Sequence, residues 1–496
     1  MPHVNACFLY ADCYCASSFE SIILSHLEYI LQIDEYSVIS MALTLKEENL
    51  DAPEKRQKCT VSVVGCGRVG LATACLFAEA GFRVIGADAN SRVVALLKKG
   101  KAPLSEIGLE ELLKKHMKNG SFTATRDIKE AASTSEVIVL VVPTQIDQKK
   151  KPDYNHIERP AKEIGKGLHA GSLVIVASTT GLGIADTAVR ETLEKASGLK
   201  AGIDFGLACS PTRSAPGRTL KDIITHSRVV GAINKRSLEV ASLVLKAIVE
   251  GGIVKVRDMK TAEAIELFEK AHRDVNLALA NDFARFCEKT GIDYLEVRKA
   301  ANTQPYCHLS SPGMGNGYYS KDSYLLLEEA ENANAKLGML LTARKTNDAM
   351  PSHTLRLTRE ALRSCGKPLR RARISVFGVS PWPNVKESHG SSTKKLVSML
   401  KKKGAFVQVY DPFFSPKELM ELGYPTKSSL TKTVEGTDCI IIAAGHDRFR
   451  RLNLGRINVF VKNPAAIVDM GHVIDPARAE RAKFVYRGLG RGAWAE

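Results

Sequence analysis

Gly65-Cys66-Gly67-Arg68-Val69-Gly70 sets glycines at the first, third and sixth places of a six-residue run. Where such a run leads from a strand into a helix, each glycine has its own task. The first permits a tight turn, the second lets backbone come against a diphosphate, and the third lets helix and strand pack closely. The flanks suit this, since Thr60–Val64 is rich in β-branched residues and residues 69–80 carry apolar side chains at helical spacing. Unpaired N–H groups at the start of that helix, Val69 among them, favour an anion. Asp88 closes the next strand-like run, residues 83–87. A carboxylate there accepts from ribose hydroxyls and repels a 2′-phosphate, so the expected cofactor is NAD rather than NADP. Arg92, just beyond, completes the cofactor set expected in this part of the chain.

The elements that must hold this turn follow by alternation. Further strands are expected at 136–142, 173–177 and 206–208, and strands alternating with helical patterns imply a parallel sheet. Residues 261–289 lack Pro and Gly and place Ile265, Phe268, Val275, Leu279, Phe283 and Phe286 at helical spacing. That predicts one helix of about 40 Å, either a spine with a dimer surface or a buried core helix. A second α/β unit begins at Arg373, with strands expected at 374–377, 406–410, 439–443 and 466–468 and a helix at 393–403. The fold class expected is α/β: two Rossmann-like, doubly wound domains joined by a helical middle domain with a long central helix. The boundaries expected are 1–57 for a poorly ordered extension, 58–255, 256–368 and 369–496.

Bulk properties narrow the partners. At 496 residues the chain is too long for one core. No stretch approaches the ~18 consecutive apolar residues of a membrane span, so no membrane role is expected. Eleven cysteines without a C-x-x-C pair indicate neither zinc nor a disulfide framework, and a reducing, cytoplasmic setting fits. The net charge of +16 raises a nucleic-acid reading. The basic residues fall in short clusters, Lys149-Lys150-Lys151 and Lys401-Lys402-Lys403, and aromatic content is 6%, too thin for base-stacking platforms. No nucleic-acid partner is expected; a basic field equally attracts a nucleotide diphosphate. Upstream, residues 1–57 hold Cys7, Cys13, Cys15, an apolar patch at 22–31 and a polar run at 46–58. No basic stretch precedes the patch, which makes it a poor signal peptide. Met41 is a natural start for the chain that follows, and residues 1–40 read as an upstream extension.

Longer strings resemble the UDP-glucose/GDP-mannose dehydrogenase family, nearest its UDP-N-acetylmannosamine dehydrogenase branch. Residues 97–109, LKKGKAPLSEIGL, are similar to the family's L-x-x-G-x-x-P-x-x-E-x-G-L. Val142-Pro143-Thr144 with Pro152-Asp153 resembles its V-P-T-P…P-D, and Ser178-Thr179 its S-T. Arg273-Asp274-Val275-Asn276 with Ala280-Asn281-Asp282 resembles its R-D-V-N…A-N-E. Val409-Tyr410-Asp411-Pro412 and Tyr486-Arg487-Gly488-Leu489-Gly490-Arg491 match in the last unit, and the order is co-linear over residues 59–492. The resemblance implies that Pro143, Thr144, Ser178 and Thr179 face NAD and that the last unit binds UDP. It implies a UDP-sugar ligand, and either a homodimer or a heteromer with an active paralogue. It also implies a four-electron oxidation of a sugar C6 alcohol to a carboxylate, in which a cysteine thiolate holds the aldehyde and forms a thioester. A lysine and an asparagine of the central helix stabilise the oxyanion, and a glutamate helps place water.

The catalytic positions depart from that pattern. The family's loop G-x-G-G-x-C-x-x-x-D reads Gly313-Met314-Gly315-Asn316-Gly317-Tyr318-Tyr319-Ser320-Lys321-Asp322. Gly313, Gly315, Asn316 and Gly317 remain as the expected sugar-binding loop and Asp322 is kept, but Tyr318 stands for the cysteine. The lysine aligns with Glu266, the asparagine with Lys270, and the glutamate of C-P-E-R with Thr212. In the last unit Trp382 and His389 stand for a lysine and an arginine. A phenol cannot form and collapse a thioester-like intermediate, and Glu266 sets a negative charge where an oxyanion needs a positive one. The expected function is an NAD-binding nucleotide-sugar dehydrogenase homologue impaired in the thiol-dependent oxidation. The alternative is an active oxidoreductase with a rearranged site, for example a two-electron alcohol oxidation using Tyr318 with Lys321 beside it. Cys307 is the other thiol in the region, and a spectator role is expected for it.

Overall fold

The computed structural model describes Leu43 and residues 45–494 except Gln148, Gly315 and Asn316, with backbone alone for residues 317–320. The upstream cysteines, the 22–31 patch and Met41 lie outside the described residues. The strands of the N-terminal unit are β1 (Thr60–Val64), β2 (Arg83–Ala87), β3 (Phe122–Thr125) and β4 (Val137–Leu140), a short antiparallel hairpin of β5 (Gln145–Ile146) and β6 (Pro152–Asp153), then β7 (Leu173–Val176), β8 (Gly206–Cys209), β9 (Arg228–Ala232) and β10 (Ile253–Lys255). Eight of them form one sheet in the order β10-β9-β8-β7-β4-β1-β2-β3, parallel apart from the β8–β9 pair. β1, β4 and β7 are buried along their whole length, as their Val, Ile and Leu content requires of strands covered on both faces. The strand order reverses between β1 and β4, which opens the crevice where doubly wound sheets take their ligands.

The segment expected as a poorly ordered extension divides. Its described part packs on the N-terminal unit: Leu43, Leu45 and Leu50 join the core, and Pro53 begins a short helix, Pro53–Arg56. The sequence reading missed these leucines because they lie among charged residues.

The long helix runs Met259–Thr290, two residues earlier and one later than expected, and spans about 48 Å. Asp258 caps its start by accepting the Thr261 N–H at 2.7 Å, and Gly291 ends it in the left-handed region at φ 71°. The helices Gly317–Asn332 and Gly338–Asp348 pack against it. The C-terminal sheet comprises β11 (Arg373–Phe377), β12 (Phe406–Tyr410), β13 (Cys439–Ile442), β14 (Ala465–Asp469) and β15 (Phe484–Gly488) in the order β12-β11-β13-β14-β15, all parallel.

The two sheets repeat one device. After β1, Gly65 sits at φ 98°, and the next N–H, of Cys66, is taken by Asp88 at the end of β2. After β11, Gly378 sits at φ 98°, and the next N–H, of Val379, is taken by Asp411 at the end of β12. Asp411, however, is buried against His446 at 3.3 Å, and the following helix starts only at Ser392. The second turn is therefore closed over by its own protein.

The basic clusters are also accounted for locally. Lys150 bonds Tyr324 and Asp348, and Lys151 bonds Glu328 and Glu331, so the β5–β6 hairpin is held to the helix Gly317–Asn332. Lys401 and Lys402 occupy the last turn of Ser392–Lys402, where cations complement the helix dipole.

Candidate active site

The glycine turn has the shape its spacing predicts. A Cβ at Gly65 would lie 2.2 Å from Val141 O, and one at Gly70 would lie 1.8 Å from Gly65 O, so neither position admits a side chain. At Gly67 a Cβ would meet nothing within 4 Å. That open face, at the N-cap of the helix Arg68–Glu79, is where a diphosphate can come against backbone N–H groups. Val69 lies in the helix's first turn and Gly70 packs beneath it. Asp88 accepts the Cys66 N–H at 2.9 Å and the Asn90 N–H at 2.8 Å, which fixes its carboxylate at the end of β2. Arg92 stands exposed in the first turn of Ser91–Leu97. These residues fit NAD.

The other segments expected to face NAD meet as a pair. Ser178 Oγ accepts the Val142 N–H at 2.8 Å and donates to Leu140 O at 3.2 Å, while Thr144 Oγ1 donates to Thr179 O at 2.5 Å. Pro143 is exposed between them. Lys321 reaches the same place, donating to Thr144 O at 3.1 Å.

The charges near Thr179 differ from the expectation built on Glu266 alone. Lys270 lies four residues along the same helix, so its ammonium falls beside Glu266. Its Nζ is 2.6 Å from Glu266 Oε1, 3.0 Å from Asp322 Oδ2 and 2.9 Å from Thr179 Oγ1. Thr179 Oγ1 in turn donates to Glu266 Oε1 at 2.8 Å. The side chains of Glu266 and Asp322 are 4% and 0% exposed. The site thus keeps a cation, moved one helical turn, and the local sign is not simply reversed. Behind it, Arg228 donates to Ser210 Oγ and Ser210 O; burial pulls its guanidinium down to about 10, against the raising effect of Glu266. Thr212, at the family's glutamate position, has a buried hydroxyl oxygen with no hydrogen-bond partner.

One turn before Glu266, Glu263 accepts from Thr180 Oγ1 at 2.9 Å, from Ala185 N at 2.9 Å and from Gly183 N. Burial pushes its carboxyl up to about 7, and those donors pull the other way.

A buried polar network anchors the loop that leads to Tyr318. Asn281 accepts the Gly313 N–H at 2.8 Å and donates to Asn347 Oδ1 at 2.9 Å; Asn347 donates to Asp274. Asp274 also takes Arg344 at 2.6 Å and Ser323 Oγ at 2.7 Å. The strings R-D-V-N and A-N-D therefore hold Asp274 and Asn281 as anchors. Arg344, Asn347 and Ser323 were missed, although the polar run Ala343-Arg344-Lys345-Thr346-Asn347-Asp348 in a helix was a signal. Gly315 and Asn316 lie outside the described residues, and Gly317 and Tyr318 begin the helix Gly317–Asn332. Cys307 is half-buried in a turn closed by its N–H on Gln304 O.

Residues 59–249 match the NAD binding domain of the UDP-glucose/GDP-mannose dehydrogenase family, residues 260–349 its central domain and residues 375–476 its UDP binding domain. The chain is 32% identical over 434 residues to a UDP-N-acetyl-D-mannosamine dehydrogenase of Pyrococcus horikoshii, covering 87% of this chain and 99% of that one. The solved UDP-D-ManNAc dehydrogenase of Pyrococcus horikoshii superposes with a TM-score of 0.80 at 31% identity, covering 88% and 100% of the two chains. The NDP-N-acetyl-D-galactosaminuronic acid dehydrogenase of Methanosarcina mazei Go1 gives 0.75 at 30% identity, covering 90% and 99%. With its NAD turn, its three matching domains and these relatives, the chain belongs to the UDP-glucose/GDP-mannose dehydrogenase family and groups with its UDP-N-acetyl-D-mannosamine dehydrogenase branch.

Proposed function

We propose that this chain binds NAD and a UDP-N-acetylhexosamine but is impaired in the thiol-dependent four-electron oxidation, and that it serves as a regulatory or assembly partner of an active paralogue. One observation carries the reading. A lysine ammonium has three N–H donors, and Lys270 has Glu266 Oε1, Asp322 Oδ2 and Thr179 Oγ1 at hydrogen-bonding distance. Two donors are spent on Glu266 and Thr179, the Asp322 carboxylate holds the charge as an ion pair, and this draws the ammonium away from an oxyanion, while Tyr318 supplies no thiol. Purified protein incubated with NAD and a panel of UDP-sugars tests this by NADH absorbance. Binding without turnover is expected; steady turnover with two NADH per sugar would overturn it.

The second reading, a two-electron alcohol oxidation, draws on Lys321, whose ammonium sits on Thr144 O beside the cofactor segment. Turnover that stops at one NADH per sugar would select it.

For the partner, the surface of the long helix is informative. Phe268, Leu279, Phe283 and Phe286 are 58%, 44%, 42% and 60% exposed. An apolar stripe of this kind on a helix is a surface that another protein covers. We assign it to a second copy or to the paralogue, in a cytoplasmic setting. Light scattering after size exclusion, with Phe286→Glu as control, distinguishes a dimer from a monomer.

A further inference from the structure

Arg68 is the long charged side chain within the glycine turn, and its guanidinium is buried between two carboxylates from distant parts of the chain. Nη2 donates to Glu387 Oε2 at 2.6 Å, and Nη1 donates to Glu106 Oε1 at 3.4 Å and Ser105 O at 3.3 Å. The side chains of Arg68, Glu106 and Glu387 are 8%, 1% and 7% exposed. Each carboxylate is tied further. Glu106 accepts the N–H groups of Gly217 and Thr219, and Glu387 accepts those of Ser388 and His389 at 2.9 Å. Gly217, at φ 82°, stands so close to the C-terminal unit that a Cβ would lie 2.8 Å from Val385 Cγ2.

Three stretches therefore meet at one guanidinium, the diphosphate turn, the 102–108 loop and the 385–389 loop of the other Rossmann unit, and the 215–219 segment joins them through Glu106. Arg68 is also the first residue of the helix whose N-terminus faces the diphosphate space. A ligand that fixes this turn fixes the Arg68 backbone, and the buried ion pair carries that constraint to Glu387. Releasing the pair strands a charge out of water, so it acts as a rigid strut. On the far side, Glu387, Ser388 and His389 line a cleft of about 590 Å³ between the two units, opposite Ser105 and Glu106.

The geometry points to Arg68 as a positioning residue that couples the two nucleotide sites. NAD on the N-terminal unit and a UDP group on the C-terminal unit each favour the arrangement in which Arg68 and Glu387 are joined, so each raises the other's affinity. The inference rests on the nucleotide-binding reading of both units. Linkage requires the same factor in both directions.

The test is calorimetric titration of the full chain with NAD, with and without saturating UDP, and of UDP with and without saturating NAD. In the wild type each ligand is expected to tighten the other by about fivefold or more. In Arg68→Met and, independently, in Glu387→Gln, the factor falls to about one, whatever happens to the separate affinities. Glu387→Gln keeps the shape of the side chain and so covers the case in which Arg68→Met fails to fold. A merely structural strut would lower stability and leave the factor unchanged. A wild-type factor of one, or an unchanged factor in either folded variant, overturns the coupling while the nucleotide reading stands. A wild type that binds neither nucleotide overturns both.

Discussion

Lys270→Met removes the cation shared by Glu266 and Asp322 and leaves two carboxylates facing each other out of water. At an effective dielectric of about 20, opposite charges 3.0 Å apart attract by about 5 kcal/mol, and the lysine forms two such contacts. Much of that attraction is offset by the cost of burying the ions, so the net loss follows the rule for breaking a buried pair, about 3–5 kcal/mol. For domains of this size each kcal/mol moves the melting point by about 2–4 °C, which gives a fall of about 6–20 °C. Differential scanning calorimetry at pH 8 reads it as a shift of the transition that contains the long helix. Adding 0.5 M salt should change the difference little, because buried pairs are poorly screened. The double variant Glu266→Gln/Lys270→Met leaves one carboxylate instead of two and should recover a substantial part of the loss. A single variant that melts within about 2 °C of the wild type would falsify the view that Lys270 neutralises the pair.

Other consequences can be checked in parallel. Glu263 holds its proton more tightly in the folded state, from about 4.5 up to about 7, so its contribution is full below about pH 4.5 and is lost as pH rises through about 7. The span corresponds to about 3 kcal/mol, and Glu263→Gln should flatten that part of the urea midpoint–pH curve; an unchanged slope would count against it. Arg344→Met strands Asp274 (1% exposed) and should cost about 3–5 kcal/mol in urea unfolding, whereas Arg213→Met, whose pair with Glu269 is about 30% exposed, should cost under about 1 kcal/mol. Equal losses would refute the ranking by burial. Asp88→Asn should weaken NAD by about 10–100-fold, the worth of a hydrogen bond to a charged group, and narrow the preference over NADP. Calorimetric titration with both dinucleotides measures it, and an unchanged NAD affinity would remove Asp88 from the ribose.

The elements legible in the sequence are those whose signal is local. β1 falls on its β-branched run, β2 on the second strand-like run, and the helix Arg68–Glu79 is shifted by one residue. The long helix is legible because a run without Pro or Gly leaves few alternatives. β10 is a three-residue edge strand and β3 has one apolar face, so neither rises above its surroundings. Within the site, Glu266 read singly suggested a reversed charge. Read with Lys270 one turn on, the same segment has the Glu-to-Lys spacing that helices favour, and the ion pair was within reach of the sequence. The partners that come from elsewhere were not. Asp322 reaches Lys270 from another helix, and Glu387 reaches Arg68 across 319 positions; no periodicity encodes such a meeting.

The substitutions around Thr179 make a set. A glutamate at 266 without the lysine at 270 would leave Glu266 and Asp322 as buried, unpaired carboxylates, the most costly arrangement an interior can hold. With the lysine, each carboxylate has a cation within 3.0 Å, which offsets part of the cost of burying them. On the function proposed above, that compensation also works against catalysis. A preorganised oxyanion donor must have its N–H free and aimed at the place where charge develops. For Lys270 to serve, a reacting oxygen must displace Thr179 or one of two carboxylates already 2.6–3.0 Å away. Displacing a charge-assisted bond costs about 1.5–3 kcal/mol, which subtracts about 10–100-fold from any rate the ammonium could add. On that proposed function, the same contacts that let Glu266 be buried hold the site's cation away from a reacting oxygen, beside a glycine turn that fits NAD.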